Sequence, residues 1–122
     1  MIIGHGIDAT ELLSIEDHLK IDGWLERIMH PNEILNVPDN AKRLSHIAGR
    51  FAAKEAVLKA LGCGFGNGVA FTDIQILRDE GSPPAIVLLR GAKKRADELK
   101  IKSWHLSISH TGTTAFASAI AE

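Results

Sequence analysis

The stretch from Asp39 to Leu61 is the longest helical candidate in the chain. It runs into Gly62-Cys63-Gly64-Phe65-Gly66-Asn67-Gly68, where four glycines in seven residues end any helix and force a permissive loop. Asp39 or Asn40 is the expected N-cap and Gly62 the stop. With Leu44 at zero and about 100° per residue, Leu44, Ile47, Ala48, Phe51, Leu58 and Leu61 share one stripe, the expected buried face. Glu55 falls near the middle of that stripe and Lys59 at its edge one turn later. A carboxylate in an apolar stripe is costly unless it is paired or metal-bound.

Shorter elements are expected around this helix. Ile2 to Ala9 reads as an opening strand that ends at the polar pair Thr10-Glu11, with Gly4, Gly6 and Asp8 on one face. Two glycines there mark a close approach by another backbone or by a ligand. Ser14 to Asn36 reads as two or three short helices, with Ser14 and Asp17 as a capping-box-like start, Gly23 as a break and Pro31 as a new start. Ile74–Arg78 and Ala85–Leu89 form a hairpin around Asp79–Pro84, Gly91–Lys100 a basic helix, and His105–His110 with Thr114–Ala121 a last hairpin around Thr111-Gly112-Thr113. This order predicts an α+β fold, a mainly antiparallel sheet packed against one long helix and several short ones, in a single domain over residues 1–122.

Composition narrows the function classes. Fourteen Lys and Arg against fifteen Asp and Glu give no global charge for a nucleic-acid binder, and 5% aromatics without tyrosine leave no base-stacking platform. A single cysteine, Cys63, excludes an intrachain disulfide and a cysteine metal cluster. No apolar run suits a membrane span and the first residues lack the basic leader of a signal peptide, so the expected address is cytoplasmic.

Four residues are candidates for chemistry: Asp8, Glu55, Lys59 and His110. Each also has a plain structural reading: a cap for Asp8, an i,i+4 ion pair for Glu55 and Lys59, a hydrogen-bonded turn residue for His110. The Walker and dinucleotide-fold motifs are absent because the glycines follow a helix instead of opening one. No helical His-x-x-x-His spacing points to zinc, whereas two carboxylates and a lysine suit Mg²⁺ with a phosphate ester.

Three motifs in order then carry a resemblance: Gly6-Ile7-Asp8; Gly49-Arg50-Phe51-Ala52-Ala53-Lys54-Glu55-Ala56 with Lys59-Ala60-Leu61-Gly62; and Ser107-Ile108-Ser109-His110. The chain resembles the holo-[acyl-carrier-protein] synthases, the small bacterial type of 4'-phosphopantetheinyl transferase, over nearly its whole length. Ile28-Met29-His30-Pro31-Asn32-Glu33 and Gly81-Ser82-Pro83 agree. The resemblance implies transfer of 4'-phosphopantetheine from coenzyme A to a serine of apo acyl carrier protein, a step serving fatty acid biosynthesis and lipid metabolism, by a homotrimer that uses Mg²⁺. It implies Asp8 and Glu55 as metal ligands, Lys59 at the phosphates, and Glu55, directly or through a metal-bound water, as acceptor of the serine proton. It also implies Gly62 and Gly64 near the phosphates, Pro83 near adenine from a neighbouring subunit, and His110 beside the phosphates of coenzyme A. Gly4 and Gly6 are expected to leave room for the substrate. The chain departs from the family pattern at Ala9 to Ser14, where a basic residue facing the carrier is missing, at Cys63, and at Thr111–Thr114. Two other readings use the same residues: a Mg²⁺-dependent phosphoester or pyrophosphate hydrolase, and a non-catalytic oligomeric binding module.

Overall fold

The computed structural model describes residues 1–64, 66–79 and 81–122. Phe65 of the expected glycine loop and Glu80 of the expected hairpin turn lie outside the described residues. The elements are β1 (Gly4–Glu11), α1 (Leu12–Leu19), α2 (Trp24–Ile28), α3 (Pro31–Ile34), α4 (Arg43–Leu61), a 3-10 turn at Phe71–Asp73, β2 (Ile74–Leu77), β3 (Ala85–Leu88), α5 (Arg90–Glu98), β4 (Trp104–His110) and β5 (Thr114–Ala121). All strand pairs are antiparallel. They form a three-stranded sheet ordered β1-β5-β4 and a separate β2-β3 hairpin. The α+β architecture around one long helix is the one expected.

α4 starts later than its sequence pattern indicates. Asn40 turns the chain before the helix, its Oδ1 accepting from Lys42 N–H at 2.9 Å, and Lys42 is the N-cap without a side-chain cap. Gly62 ends the helix in the left-handed conformation at φ 70°, as its missing Cβ allows. The buried surface is much wider than one stripe. It takes in Gly49, Ala52, Ala53, Lys54, Ala56, Val57 and Ala60, because the sheet covers one side of the helix, α1 to α3 another, and the hairpin and α5 the rest. Glu55 sits at the edge of this surface, half-buried, and not in its middle.

Small residues let the sheet lie close to α4. Ala115, Ala117, Ala119 and Ala121 of β5 are buried against it, and on β1 a Cβ at Gly4 would stand 2.0 Å from the Ala60 carbonyl oxygen and one at Gly6 1.8 Å from that of Ala56. These glycines therefore make room for the helix backbone and not for substrate. β1 also runs two residues further than expected, through Thr10 and Glu11, which pair with Ala115 and Thr114. On the other side of α4, Ile15, Ile28, Met29 and Ile47 pack with a row of rings in which Trp24 lies 6.0 Å from Phe51 and Phe51 5.4 Å from Phe71. α1 begins at Leu12 behind Glu11, so Ser14 lies inside its first turn and is not a cap.

Candidate active site

The close fit of β1 on α4 brings two distant motifs together. Lys59, in the last turn of α4, reaches across so that its Nζ donates to the Ile7 carbonyl at 2.8 Å and to Asp8 Oδ1 at 3.3 Å. The other Asp8 oxygen accepts from Thr10 Oγ1 at 2.6 Å, a bond available because Thr10 shares the helix-facing side of β1. Asp8 is 15% exposed and Lys59 53%, so this pair is largely solvated on one side and contributes little to stability. Its placement leaves one ammonium donor of Lys59 for something else.

Glu55 faces the same groove, which is lined by Asp8, Ala9, Thr10, Glu11, Ser14, Phe51, Glu55 and Lys59. Burial raises the Glu55 pKa above the usual carboxylate range; the nearby Asp8 charge adds to that and Lys59 partly opposes it. Two carboxylates that repel each other across a groove with one lysine form a set short of positive charge. No group of three or more His, Cys, Asp or Glu gathers as a metal site among the described residues. A cation here would thus take Asp8 and Glu55 from the chain and the rest of its shell from ligand and water. Mg²⁺ accepts such a set, so the residues fit it.

The other expected site residues lie elsewhere in the chain. Gly62 caps α4, and a Cβ built at Gly64 would stand 3.6 Å from Asn67 Nδ2, an ordinary contact. His110 is exposed at the end of β4, its Nδ1 3.3 Å from the Thr111 carbonyl. It opens onto a second groove, with Lys42, His46, Arg50 and Arg78, that continues past Asp79 and Gly81 to the turn holding the exposed Pro83. Within one chain, neither His110 nor Pro83 lines the Asp8 groove.

Two sets of residues were not foreseen. Lys54 is fully buried, and its Nζ donates to Glu33 Oε1 at 2.6 Å, the Phe71 carbonyl at 2.9 Å and the Ile74 carbonyl at 2.5 Å. Glu33 in turn accepts from His30 N–H and Ile76 N–H, both at 3.0 Å. This clip ties α4 to α3 and β2. The second set is the basic lining of the His110 groove, where Arg50 has its pKa lowered by burial and then by the Arg78 charge, with Glu33 opposing. Its signal was present as Lys42, His46 and Arg50 at four-residue spacing.

Comparison with known proteins gives one consistent result. Residues 4–117 match the model of the 4'-phosphopantetheinyl transferase superfamily. A holo-[acyl-carrier-protein] synthase of Solidesulfovibrio magneticus is 47% identical, covering 100% of this chain and 99% of that protein. Among solved structures, the holo-[acyl-carrier-protein] synthase of Neisseria meningitidis has a TM-score of 0.89 at 35% identity, covering 100% of this chain and 99% of that one. The Helicobacter pylori enzyme, solved in complex with coenzyme A, has a TM-score of 0.84 at 37% identity, with 97% and 99% coverage.

Proposed function

Because the chain belongs to the 4'-phosphopantetheinyl transferase superfamily, we propose that as one domain over residues 1–122 it transfers 4'-phosphopantetheine from coenzyme A to a serine of apo acyl carrier protein, with Asp8, Glu55 and Lys59 at the reacting phosphates. The observation that carries the assignment is the groove itself: two mutually repelling carboxylates, one raised in pKa, beside a lysine with a donor to spare.

In the reaction the serine Oγ bonds to the phosphorus that bears pantetheine. The bond from that phosphorus to the bridging oxygen breaks, and adenosine 3',5'-bisphosphate leaves. Glu55, poised by burial and Asp8 to hold a proton more readily than an ordinary carboxylate, accepts the serine proton, a role that typically contributes ~10²–10⁴-fold. Lys59, fixed by Ile7 and Asp8, turns its remaining N–H toward the phosphate oxygens. Asp8 and Glu55 would hold Mg²⁺, which would supply charge neutralisation at the phosphates. Gly62 and Gly64, just past Lys59, let backbone approach the same phosphates.

The proposal extends to assembly as a homotrimer, in the cytoplasm where coenzyme A is used. The outer face of the β1-β5-β4 sheet is open, with Ile7 62% and Phe116 41% exposed around a shallow apolar hollow between Ser107, Ser109 and Ser118. Symmetric packing of that face is supported further by the separation of the two grooves. A neighbour's basic groove, with His110 and the Pro83 turn, would complete the wall for the adenosine end of coenzyme A. The test is the intact mass of an apo acyl carrier protein incubated with this chain, coenzyme A and Mg²⁺. A phosphopantetheine increment is expected, and hydrolysis of coenzyme A without transfer would overturn the assignment. Sedimentation of a fully active monomer would remove the trimer.

A further inference from the structure

This inference rests on the reading that the basic groove receives a phosphate of the donor substrate. α4 sends Lys42, His46 and Arg50 toward that groove from successive turns, with the His46 N–H closing the first turn on the Lys42 carbonyl at 3.0 Å. His46 is the middle rung and lines both halves of the groove. Its ring is half-buried, and among the described residues neither ring nitrogen has a hydrogen-bond or ion-pair partner.

The charges facing it are uneven. Lys42 and Arg50 flank it on α4, Arg78 and Asp79 approach from the end of β2, and His110 from β4. Glu33 of α3 also lines the groove, but its carboxylate is already held by Lys54 and two backbone N–H groups. In this setting burial, with help from Arg50, pushes the His46 pKa down to about 4, so the ring is neutral at neutral pH. A phosphate dianion reverses the sign of the local field, and an opposite charge within ~4–6 Å favours the protonated ring.

We propose that His46 is a further phosphate-binding residue of this groove, a neutral imidazole in the free protein that takes up a proton as the phosphate enters beside Arg50 and then donates to it. Binding is therefore linked to proton uptake. If the bound ring titrates near the ordinary value of about 6.5, linkage makes binding about tenfold tighter near pH 5.5 than near pH 8 through this residue alone.

The test is an NMR titration of the histidine rings in the assembled wild-type protein, free and saturated with adenosine 3',5'-bisphosphate, with the His46 signal identified by its loss in His46→Gln. The His46 midpoint is expected to rise by more than one pH unit on saturation. The ratio of affinities near pH 5.5 and pH 8 is expected to be about tenfold larger in wild type than in His46→Gln, a comparison in which titration of the ligand itself cancels. Binding with an unmoved midpoint overturns this inference and leaves the proposed function standing. Failure of the protein to bind adenosine 3',5'-bisphosphate at all overturns the groove assignment and the inference with it. Through-bond connection of the ring to the His46 backbone identifies the same signal independently, so the wild-type titration stands even if the variant folds poorly.

Discussion

Replacing Lys54 by methionine isolates the one salt bridge among the described residues whose two side chains are both buried. Methionine keeps a buried unbranched stem but deletes an ammonium that is 0% exposed and bonded to Glu33, Phe71 and Ile74. Glu33 would keep its two N–H donors from His30 and Ile76 yet lose the ammonium bonded to it, while two carbonyls lose one donor each. Breaking a buried pair from one side costs about 3–5 kcal/mol. Set against a total stability of ~5–15 kcal/mol, the variant should be folded but marginal. The second step of the cycle is Glu33→Gln in the Lys54→Met background. A neutral amide no longer buries a bare charge, and although its single oxygen accepts from only one of the two N–H groups that Oε1 and Oε2 take separately, about 1 kcal/mol should return. Urea unfolding followed by the fluorescence of Trp24, which packs 6.0 Å from Phe51, reads both steps. A loss below about 1 kcal/mol in Lys54→Met, or a further loss on adding Glu33→Gln, refutes the reasoning.

Four other outcomes are expected. Asp8→Asn and Glu55→Gln should each lower carrier modification at least ~10²-fold, with unfolding midpoints near wild type, because each removes charge from a solvated groove without changing shape; mass-spectrometric rates and denaturation measure the two effects. Gly6→Ala should destabilise by about 3 kcal/mol and impair transfer together, since its Cβ would lie 1.8 Å from the Ala56 carbonyl and push Asp8 off α4. His46 is held near pKa 4 when folded against 6.5 unfolded, so the unfolded chain binds more protons between those values and stability falls as pH drops through that window. The full displacement corresponds to about 3 kcal/mol, discounted to roughly 1–2 for a half-buried ring, and His46→Gln should flatten that part of a stability-against-pH curve. Ser14→Arg adds a cation at the exposed rim of the Asp8 groove and should lower the KM for an acidic carrier at low salt with a steeper salt dependence, leaving the KM for coenzyme A unchanged.

The elements of this fold were legible because their signals are local. Gly62 ends α4, Pro31 opens α3, and alternation along β4 and β5 with Thr111-Gly112-Thr113 between them makes a hairpin; each is decided by a few neighbouring residues. The motifs also singled out Asp8, Glu55 and Lys59, which the fold brings to one groove, since an acid and a base in phase with an apolar helix demand an explanation wherever the chain folds. Element edges were less legible. β1 continues through Thr10 and Glu11 because β5 supplies partners for them, and α4 begins at Arg43 because Asn40 is spent on a turn.

What a neighbour brings across the core could be decided only by tertiary structure. Gly4 and Gly6 could serve a ligand or another backbone until the Ala56 and Ala60 carbonyls were found against them. Lys54 reads in sequence as one more charge on a helix; its role depends on Glu33, twenty-one residues away, and on carbonyls of Phe71 and Ile74 that point inward only after β2 has docked. The stripe of Lys42, His46 and Arg50 became a groove when Arg78 and His110 closed its other wall. Helices and turns follow from short-range sterics and hydrogen bonding, which a sequence displays directly. Buried pairs, close backbone contacts and shifted pKa values follow from which distant groups lose their water together, and that is set by packing.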